Sequence, residues 1–359
     1  MSINLTPSEH IARARSEFRM GAGLIFVSRD GRQWMTAAAE TVTPERFEAM
    51  CKMGEAELVL TNWRAETLNT WPSAGDVARL AIGDRDLAWV KSTADPSDDL
   101  SNPLKGPFQP IFGMDADAHR AALSICKTAY LLPAVVVVEL KKPCETDLHS
   151  MDLEMIQIEL ATDKPQMRAV SDGPVPLSFA KDARVYVFRP NDGGEEHYAV
   201  EIGHPARDKP VLSRLHSACF TGDIIGSLKC DCGHQLFAAL TAISEEGNGV
   251  LLYLNQEGRG IGLANKMRAY SLQAEGFDTV EANHRLGFED DERNFRIGAE
   301  ILRLMGFSEA RLMTNNPAKV KNMELAGIKV PERVALKVGE NPLNAAYLAT
   351  KAKKSGHLL

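Results

Sequence analysis

RLHSACFTGDIIGSLKCDC, Arg214–Cys232, is the stretch on which the reading of the whole chain turns. It sets Cys219, Cys230 and Cys232 in a C-x10-C-x-C pattern, with Arg214, His216 and Ser217 just ahead of them. Three thiolates fill three corners of a tetrahedral zinc and leave the fourth for water, which separates a catalytic from a structural site. A single cysteine is most often a plain buried residue. Three within fourteen residues, two of them flanking one Asp, read as a metal set. Upstream, Val211–Leu215 alternates like a strand, so Arg214 stands at a strand end. Downstream, a helix is expected over about His234–Glu246. Gly247-Asn248-Gly249 then turns the chain into a buried strand, Val250–Leu254.

That strand feeds QEGRGIG, Gln256–Gly262. Three glycines between a strand and a helix (expected over about Ala264–Glu275) let backbone N–H groups approach a phosphate. The spacing matches neither the P-loop nor the dinucleotide fingerprint. Arg259 adds a fork-shaped cation suited to phosphate; the plain alternative is a flexible turn. FEDDER, Phe288–Arg293, falls at the start of a helix expected over about Glu292–Met305, where acids commonly serve as caps. Asp291 and Arg293 do not share a helix face, yet they flank one ligand if they precede the helix proper. TNNPAK, Thr314–Lys319, follows a short strand, Arg311–Met313, and reads either as cap chemistry or as a hydroxyl and a lysine facing a nucleotide. Arg214, Arg259, Arg293 and Lys319 are cations in a chain of net charge −7. A nucleoside triphosphate, with about four negative charges, accounts for them. The residues alone therefore point to zinc-assisted hydrolysis of a nucleotide.

The 359 residues suit two domains, and 44% apolar with 25% charged residues is ordinary for a soluble globular protein. A net charge of −7 argues against a general nucleic-acid binder. The other cysteines, Cys51, Cys126 and Cys144, are scattered, which speaks for a reducing compartment rather than a disulfide scaffold. The N-terminus reaches charged residues at once, without an apolar signal core. The run Ala129–Leu140 is too short to span a bilayer and reads as a buried strand. A cytoplasmic protein with no membrane partner is expected.

In the N-terminal half, a helix over 8–19, strands at Leu24–Val27 and Glu57–Thr61, a turn at Asp30-Gly31 and a helix start at Thr43-Pro44 are expected. A long loop, Thr93–Pro110, and a helix over about Ala116–Ala129 complete an α/β pattern. Lys141–Pro176 reads as a connection with one strand-like run, Met155–Leu160. A last helix is expected near Asn344–Lys354, ahead of GHLL. The expected fold is an α/β N-terminal domain, residues 1–170, followed by an α+β domain, residues 171–359, with a mixed sheet and a zinc site.

Taken together, RLHSACFTGD, SLKCDCGHQL, YLNQEGRGIGLANKMRAY, DTVEANHRLGF, DDER, LMTNNPAK and the terminal GHLL make residues from about 183 to 359 resemble GTP cyclohydrolase II. The resemblance implies a homodimer that uses one zinc per subunit, and magnesium with GTP. It implies opening of the guanine imidazole ring, with release of formate and pyrophosphate, as the entry to riboflavin biosynthesis. By motif, Cys219, Cys230 and Cys232 would hold the zinc, whose water would attack C8. Arg214, Leu215, His216, Ser217, Gln235, Glu257, Gly258, Arg259, Thr279, Thr314 and Lys319 would line the GTP site. Asp291 would accept a proton. Arg293 would act at the α-phosphate, where charge stabilisation is physically easier than nucleophilic attack by a protonated guanidinium. Tyr270 matches members that complete deformylation. Two positions depart from the pattern: Ala218 where many members carry Glu, and Asn255 where many carry Arg. The alternatives are a relative with another product or pathway, and a zinc- and GTP-binding regulator without turnover.

The N-terminal half resembles, more weakly, 3,4-dihydroxy-2-butanone-4-phosphate synthase, through GLIFVSRDGRQWMTAAAETVTPERFEAM and DAHRAALSICKTAYLLPAVVVVEL. Its acidic metal-binding loop is replaced by Ser28–Trp34 (SRDGRQW), and Gly113-Met114-Asp115 stands where that family has Gly-His. Without clustered carboxylates a hard cation has no oxygen cage, so a non-catalytic domain is expected.

Overall fold

The computed structural model describes residues 3–72, 74–113, 115–144, 146–162, 165–342 and 344. All but the first residue of the expected last helix, and GHLL, lie outside them. In chain order the elements are α1 (Pro7–Arg19), β1 (Leu24–Val27), β2 (Gln33–Ala38), α2 (Pro44–Met53), β3 (Ala56–Thr61), α3 (Asn62–Thr67), β4 (Val77–Ala81), α4 (Leu87–Ala94), α5 (Asp117–Thr128), β5 (Ala134–Leu140), β6 (His149–Asp152) and α6 (Leu153–Ala161). There follow β7 (Met167–Pro174), β8 (Ala183–Pro190), β9 (His197–Ile202), β10 (Val211–Ser217), α7 (Cys232–Glu246), β11 (Gly249–Leu254), α8 (Gly262–Ala274), α9 (Thr279–Arg285), α10 (Arg296–Leu304), β12 (Glu309–Met313), α11 (Pro317–Leu325) and β13 (Lys329–Val334). No described helix is long and apolar enough to cross a membrane.

The chain forms two compact units, Met1–Thr162 with Ala264–Glu292, and Asp163–Leu263 with Arg293–Leu359. A single linear boundary near residue 170 does not contain this exchange of the segment Ala264–Glu292. In the first unit the sheet order is β4-β3-β5-β2-β1-β6, antiparallel except for β1 with β6. The valine run is β5, and both of its faces are buried. Val135 and Val137 pack with Phe18, Ile125 and Ile156 on one side. Val136 and Val138 pack with Phe47, Leu58 and Leu80 on the other. Burial on both faces is why this strand is apolar without alternation.

Met155–Leu160, expected as a strand, belongs to helix α6. Asp152 caps it, its carboxylate accepting from the Met155 N–H at 2.8 Å, and Leu153 and Ile156 are buried at helical spacing. The expected loop Thr93–Pro110 begins inside α4 and contains one 3₁₀ turn, Pro96–Asp98. In the second unit the order is β13-β12-β10-β11-β9-β8-β7. β10 runs parallel to β11 and β12, β12 runs parallel to β13, and the remaining pairs are antiparallel. Both sheets are thus mixed, which the sequence reading expects only of the second domain. β7, which the sequence reading leaves as a connection, is an exposed edge strand that tolerates its charges and Pro174. α10 starts at Arg296 rather than Glu292, so Asp291 and Arg293 both precede the helix. α9, unanticipated as a separate helix, carries a full capping box from Asp278 and Glu281.

Candidate functional site

Three adjacent parallel strands, β10, β11 and β12, end on the same edge of the second sheet. The segments that leave them are Ala218–Cys232, Asn255–Gly262 and Thr314–Lys319, the motifs singled out from sequence. Carboxyl ends of parallel strands are where open α/β sheets bind ligands, because the chain there is freed from the ladder.

The sulfurs of Cys219, Cys230 and Cys232 all lie within 4.8 Å of one another, with Cys219 and Cys230 at 3.8 Å. A tetrahedral zinc with Zn–S of about 2.3 Å requires sulfur pairs about 3.8 Å apart. Crowding by the Cys219 and Cys230 sulfurs, then burial, holds the Cys232 thiol well above its ordinary value. A divalent cation is the group that lets all three ionise together. The donor set therefore fits zinc.

Cys219 caps one wide π-helical turn, Phe220–Ile224, which opens the loop running to Cys230 and Cys232. The Gly222 N–H donates to Cys219 Sγ at 3.4 Å. A Cβ on Gly222 would stand 2.8 Å from Cys230 Sγ and 3.2 Å from Cys219 Sγ. Gly222→Ala is therefore expected to spread the sulfurs and weaken zinc binding about tenfold or more, since overpacking costs about 1–3 kcal/mol. A chelator competition titration checks this, and wild-type affinity in the variant would contradict it.

Asp223, which the sequence reading did not single out, is the hub of the loop. Its Oδ2 accepts from the Cys219 N–H at 3.0 Å and from the Tyr253 hydroxyl at 3.0 Å, and lies 2.9 Å from His216 Nε2. Both His216 and Asp223 are buried. Burial holds the His216 imidazole below its ordinary value although Asp223 opposes this, so it is neutral at neutral pH. Tyr253 stacks on His216 with ring centroids 5.5 Å apart. The available signal was TGD one residue beyond Cys219: a short acid there has backbone N–H groups within reach.

Arg214 is fully buried, and its terminal nitrogens turn inward. Nη1 donates to the Met313 carbonyl at 3.0 Å and Nη2 to Gln235 Oε1 at 2.5 Å, while Gln235 Nε2 donates to Asp231 Oδ2. Burial lowers the guanidinium to about 10, with the Cys232 and Asp231 charges opposing, and it stays cationic. Arg214 thus ties the end of β12 to the start of α7, beside the metal loop. Leu215 is a core residue whose carbonyl accepts from Lys319 Nζ at 3.0 Å. Arg293 Nη1 donates to Ser217 Oγ at 3.2 Å. Arg293 and Lys319 both lie over the Phe295 ring, at 4.9 Å and 5.0 Å from its centroid. Phe295 thereby brings two cations to one place, a role no sequence signal showed.

Glu257 anchors the metal loop. Its Oε2 accepts from the Phe220 N–H at 2.5 Å and its Oε1 from the Gly258 N–H at 3.0 Å. Gly258 (φ 63°) and Arg259 (φ 62°) are both left-handed, and Arg259 is one of three described non-glycine residues with positive φ. Such strain of about 1 kcal/mol or more persists where the surroundings over-determine it, often at functional sites. Thr314 shows the cap chemistry, its Oγ1 accepting from the Asn316 N–H, while Asn316 caps α11. Asn255 gives its side-chain N–H to the Glu196 carbonyl and its backbone N–H to His197 Nδ1. Ala218 sends its N–H to the Leu254 carbonyl. Arg214 Nε, His216 Nδ1 and Gln256 Oε1 are buried atoms without a protein hydrogen bond, as expected beside a polar ligand. Tyr270, Thr279 and Asp291 belong to the first unit: Tyr270 on α8, Thr279 at the first position of α9, Asp291 exposed in the turn before Arg293.

A clustered three-thiol set beside buried Arg214 and Lys319, at the carboxyl ends of parallel strands, suits metal-assisted chemistry on an anionic substrate. A sequence profile of GTP cyclohydrolase II matches residues 168–335. The GTP cyclohydrolase-2 of Azospirillum brasilense is 39% identical over 368 residues, covering 97% of this chain and 93% of the relative. Those of Pasteurella multocida (strain Pm70) and Shigella boydii serotype 18 are each 53% identical over 54% of this chain, covering 89% and 98% of their own lengths. The chain belongs to the GTP cyclohydrolase II family, and is a hydrolase. Among solved structures, a two domain 3,4-dihydroxy-2-butanone 4-phosphate synthase from A. baumannii covers 90% of this chain at 16% identity and a TM-score of 0.33, too distant a likeness to carry function.

Proposed function

We propose that this protein opens the guanine imidazole ring of GTP by hydrolysis, releasing formate and pyrophosphate and leaving 2,5-diamino-6-ribosylamino-4(3H)-pyrimidinone 5′-phosphate, the first step of riboflavin biosynthesis. The observation that carries it is the three-sulfur cluster at the end of β10, in a chain that shares nearly its whole length with a GTP cyclohydrolase-2. Cys219, Cys230 and Cys232 would hold one zinc per subunit, which when bound supplies a Lewis acid and a water of lowered pKa. Asp223 fixes Cys219 through its backbone N–H and orients His216. Arg293 and Lys319 offer fixed positive charge to the phosphates, and Arg293 stabilises the departing pyrophosphate as a cation. Arg259 adds charge from its strained turn. Motif correspondence gives Glu257 the guanine N–H groups, which a carboxylate can accept side by side. Motif correspondence alone carries Tyr270, Thr279 and Asp291 into the reaction, Asp291 as proton acceptor. It also implies magnesium with GTP, a homodimer and a cytoplasmic setting.

Incubation with GTP and magnesium, measuring formate, pyrophosphate and the pyrimidine together, tests the reading. Equal amounts of all three support it. Pyrophosphate without formate would indicate a formyl-retaining relative, and GTP binding without product a regulator.

The N-terminal domain is proposed to have no synthase activity. The one acid in the loop where that family's acids would stand, Asp30, is engaged by Arg32 at 3.1 Å; Arg32 also pairs with Asp115, ahead of α5, at 2.5 Å, and Arg29 with Glu154 on α6. Ribulose 5-phosphate with magnesium is expected to give no dihydroxybutanone phosphate, and turnover would refute the assignment.

A further inference from the structure

Residues 264–292 lie far along the chain from the N-terminal domain, yet they fold as part of the first unit. Besides buried apolar residues such as Leu272, Leu286 and Phe288, their attachment carries specific polar contacts at α8, at α9 and in the turn beyond. At α8, Arg268 is gripped by two acids, donating Nε to Asp95 at 3.1 Å and Nη2 to Glu40 at 2.9 Å. One turn earlier, Asn265 donates to the Tyr130 carbonyl at 2.9 Å. At α9, His284 stacks face to face on Trp63, 3.8 Å between centroids. Arg285 reaches Asp99, itself held by the buried Arg64 and Lys105. Behind α9, the carbonyl of Gly287 (φ 87°) accepts from the Thr61 hydroxyl at 2.9 Å, and a Cβ there would stand 2.9 Å from Pro133. A side chain at Gly287 would push the segment off. Isolated surface ion pairs contribute little, but this is a connected, half-buried network with one aromatic stack.

The last link is the informative one. Lys127, on α5, pairs with Glu292 at 2.7 Å, and the same Glu292 oxygen accepts from the Glu289 N–H at 2.9 Å. The pair closes the turn 289–292, on which Asp291 sits between Glu292 and the His284-bound Asp290. A carboxylate asked to accept a proton needs its backbone fixed, because a misplacement of about 1 Å costs up to about a hundredfold.

We propose that the N-terminal domain is a positioning element of the cyclohydrolase, holding the segment 264–292 and, through Lys127 on Glu292, the turn that carries Asp291. Lys127 is a positioning residue and touches no substrate. The proposal rests on the ring-opening reading for the role of Asp291. It gives a domain without synthase chemistry a function in the reaction of the other half of the chain.

The test uses the full chain, with GTP and magnesium. Lys127→Met is expected to lower kcat for formate release by about 10- to 100-fold, with KM for GTP, zinc content and melting temperature as in the wild type. Lys127→Arg keeps a cation at Glu292 and is expected to restore most of kcat. Glu292→Gln should match Lys127→Met, and the double variant should lose no more than either alone, because one link is broken once. Trp63→Ala probes the far end of the same attachment and should also act on kcat. Unchanged kcat in both Lys127→Met and Trp63→Ala would overturn the proposal. So would a loss of kcat accompanied by loss of zinc or a lowered melting temperature, which a merely structural contact would give. Absence of formate release from the wild type would instead refute the ring-opening reading itself.

Discussion

Cys230→Ser is expected to abolish formate release from GTP and to leave the purified protein without zinc. The three sulfurs sit within 4.8 Å of one another, and Cys230 is buried against the Cys219 sulfur at 3.8 Å. A serine hydroxyl does not ionise at neutral pH as a metal-bound thiol does, and its oxygen is a harder donor. Removing one ligand from a site whose zinc binding free energy is on the order of 10–16 kcal/mol takes away several kcal/mol, roughly a thousandfold or more in affinity. Metal analysis of the purified variant and a coupled formate assay read the two effects separately. Far-ultraviolet circular dichroism should be unchanged, because the loop 218–232 lies at one edge of the sheet and the core of the second unit is built elsewhere, from residues such as Leu252, Leu302 and Phe307. Wild-type formate release by Cys230→Ser would refute the metal assignment.

Asp223→Ala is expected to give the second-largest loss, about 10- to 100-fold in zinc affinity or formate release, the range for groups that orient metal ligands. One carboxylate serves the Cys219 N–H, the Tyr253 hydroxyl and His216. Its removal leaves buried donors without acceptors, each at a cost of about 1–3 kcal/mol. Tyr253→Phe removes only one of these bonds and should lose less. A chelator titration across wild type, Tyr253→Phe and Asp223→Ala should rank them in that order. Asp223→Ala with zinc affinity above that of Tyr253→Phe would show that the loop holds its sulfurs without the hub.

Sequence reading reached the three-thiol cluster because its members are close in the chain, and spacing is what a sequence displays. It reached the alternation of strands and helices for the same local reason, and the strand ends at Leu254 and Met313 followed from strand-to-turn chemistry; β10 runs two residues past the expected Leu215, and its parallel pairing with β11 and β12 is set by tertiary structure. It failed where the decisive partner is distant or the local pattern is ambiguous. Met155–Leu160 is a short apolar run that fits either period, and the cap at Asp152 with the packing of Ile156 made it helical. β7 is polar because it is an edge, a fact about its neighbour β8 rather than about its own residues. Phe295 takes its role from Arg293 and Lys319 lying over its ring, which no local pattern marks. Asp223 takes its role from Tyr253, thirty residues on, which donates to it.

The chain by itself determined the chemistry: three thiols at ligand spacing, four cations in an acidic protein, and a glycine turn between a strand and a helix. Those are covalent and local properties, set by neighbours a few residues apart. Tertiary structure alone decided which of these groups share a space. It turned Arg214 inward to bind β12 and α7, placed Asp223 beneath the metal loop, and gave residues 264–292 to the N-terminal domain. The last of these could not be read from the sequence, because Lys127 with Glu292 and Trp63 with His284 are joined by folding across more than 160 residues. Nothing local marks a lysine or a tryptophan as the partner of a residue so far along the chain.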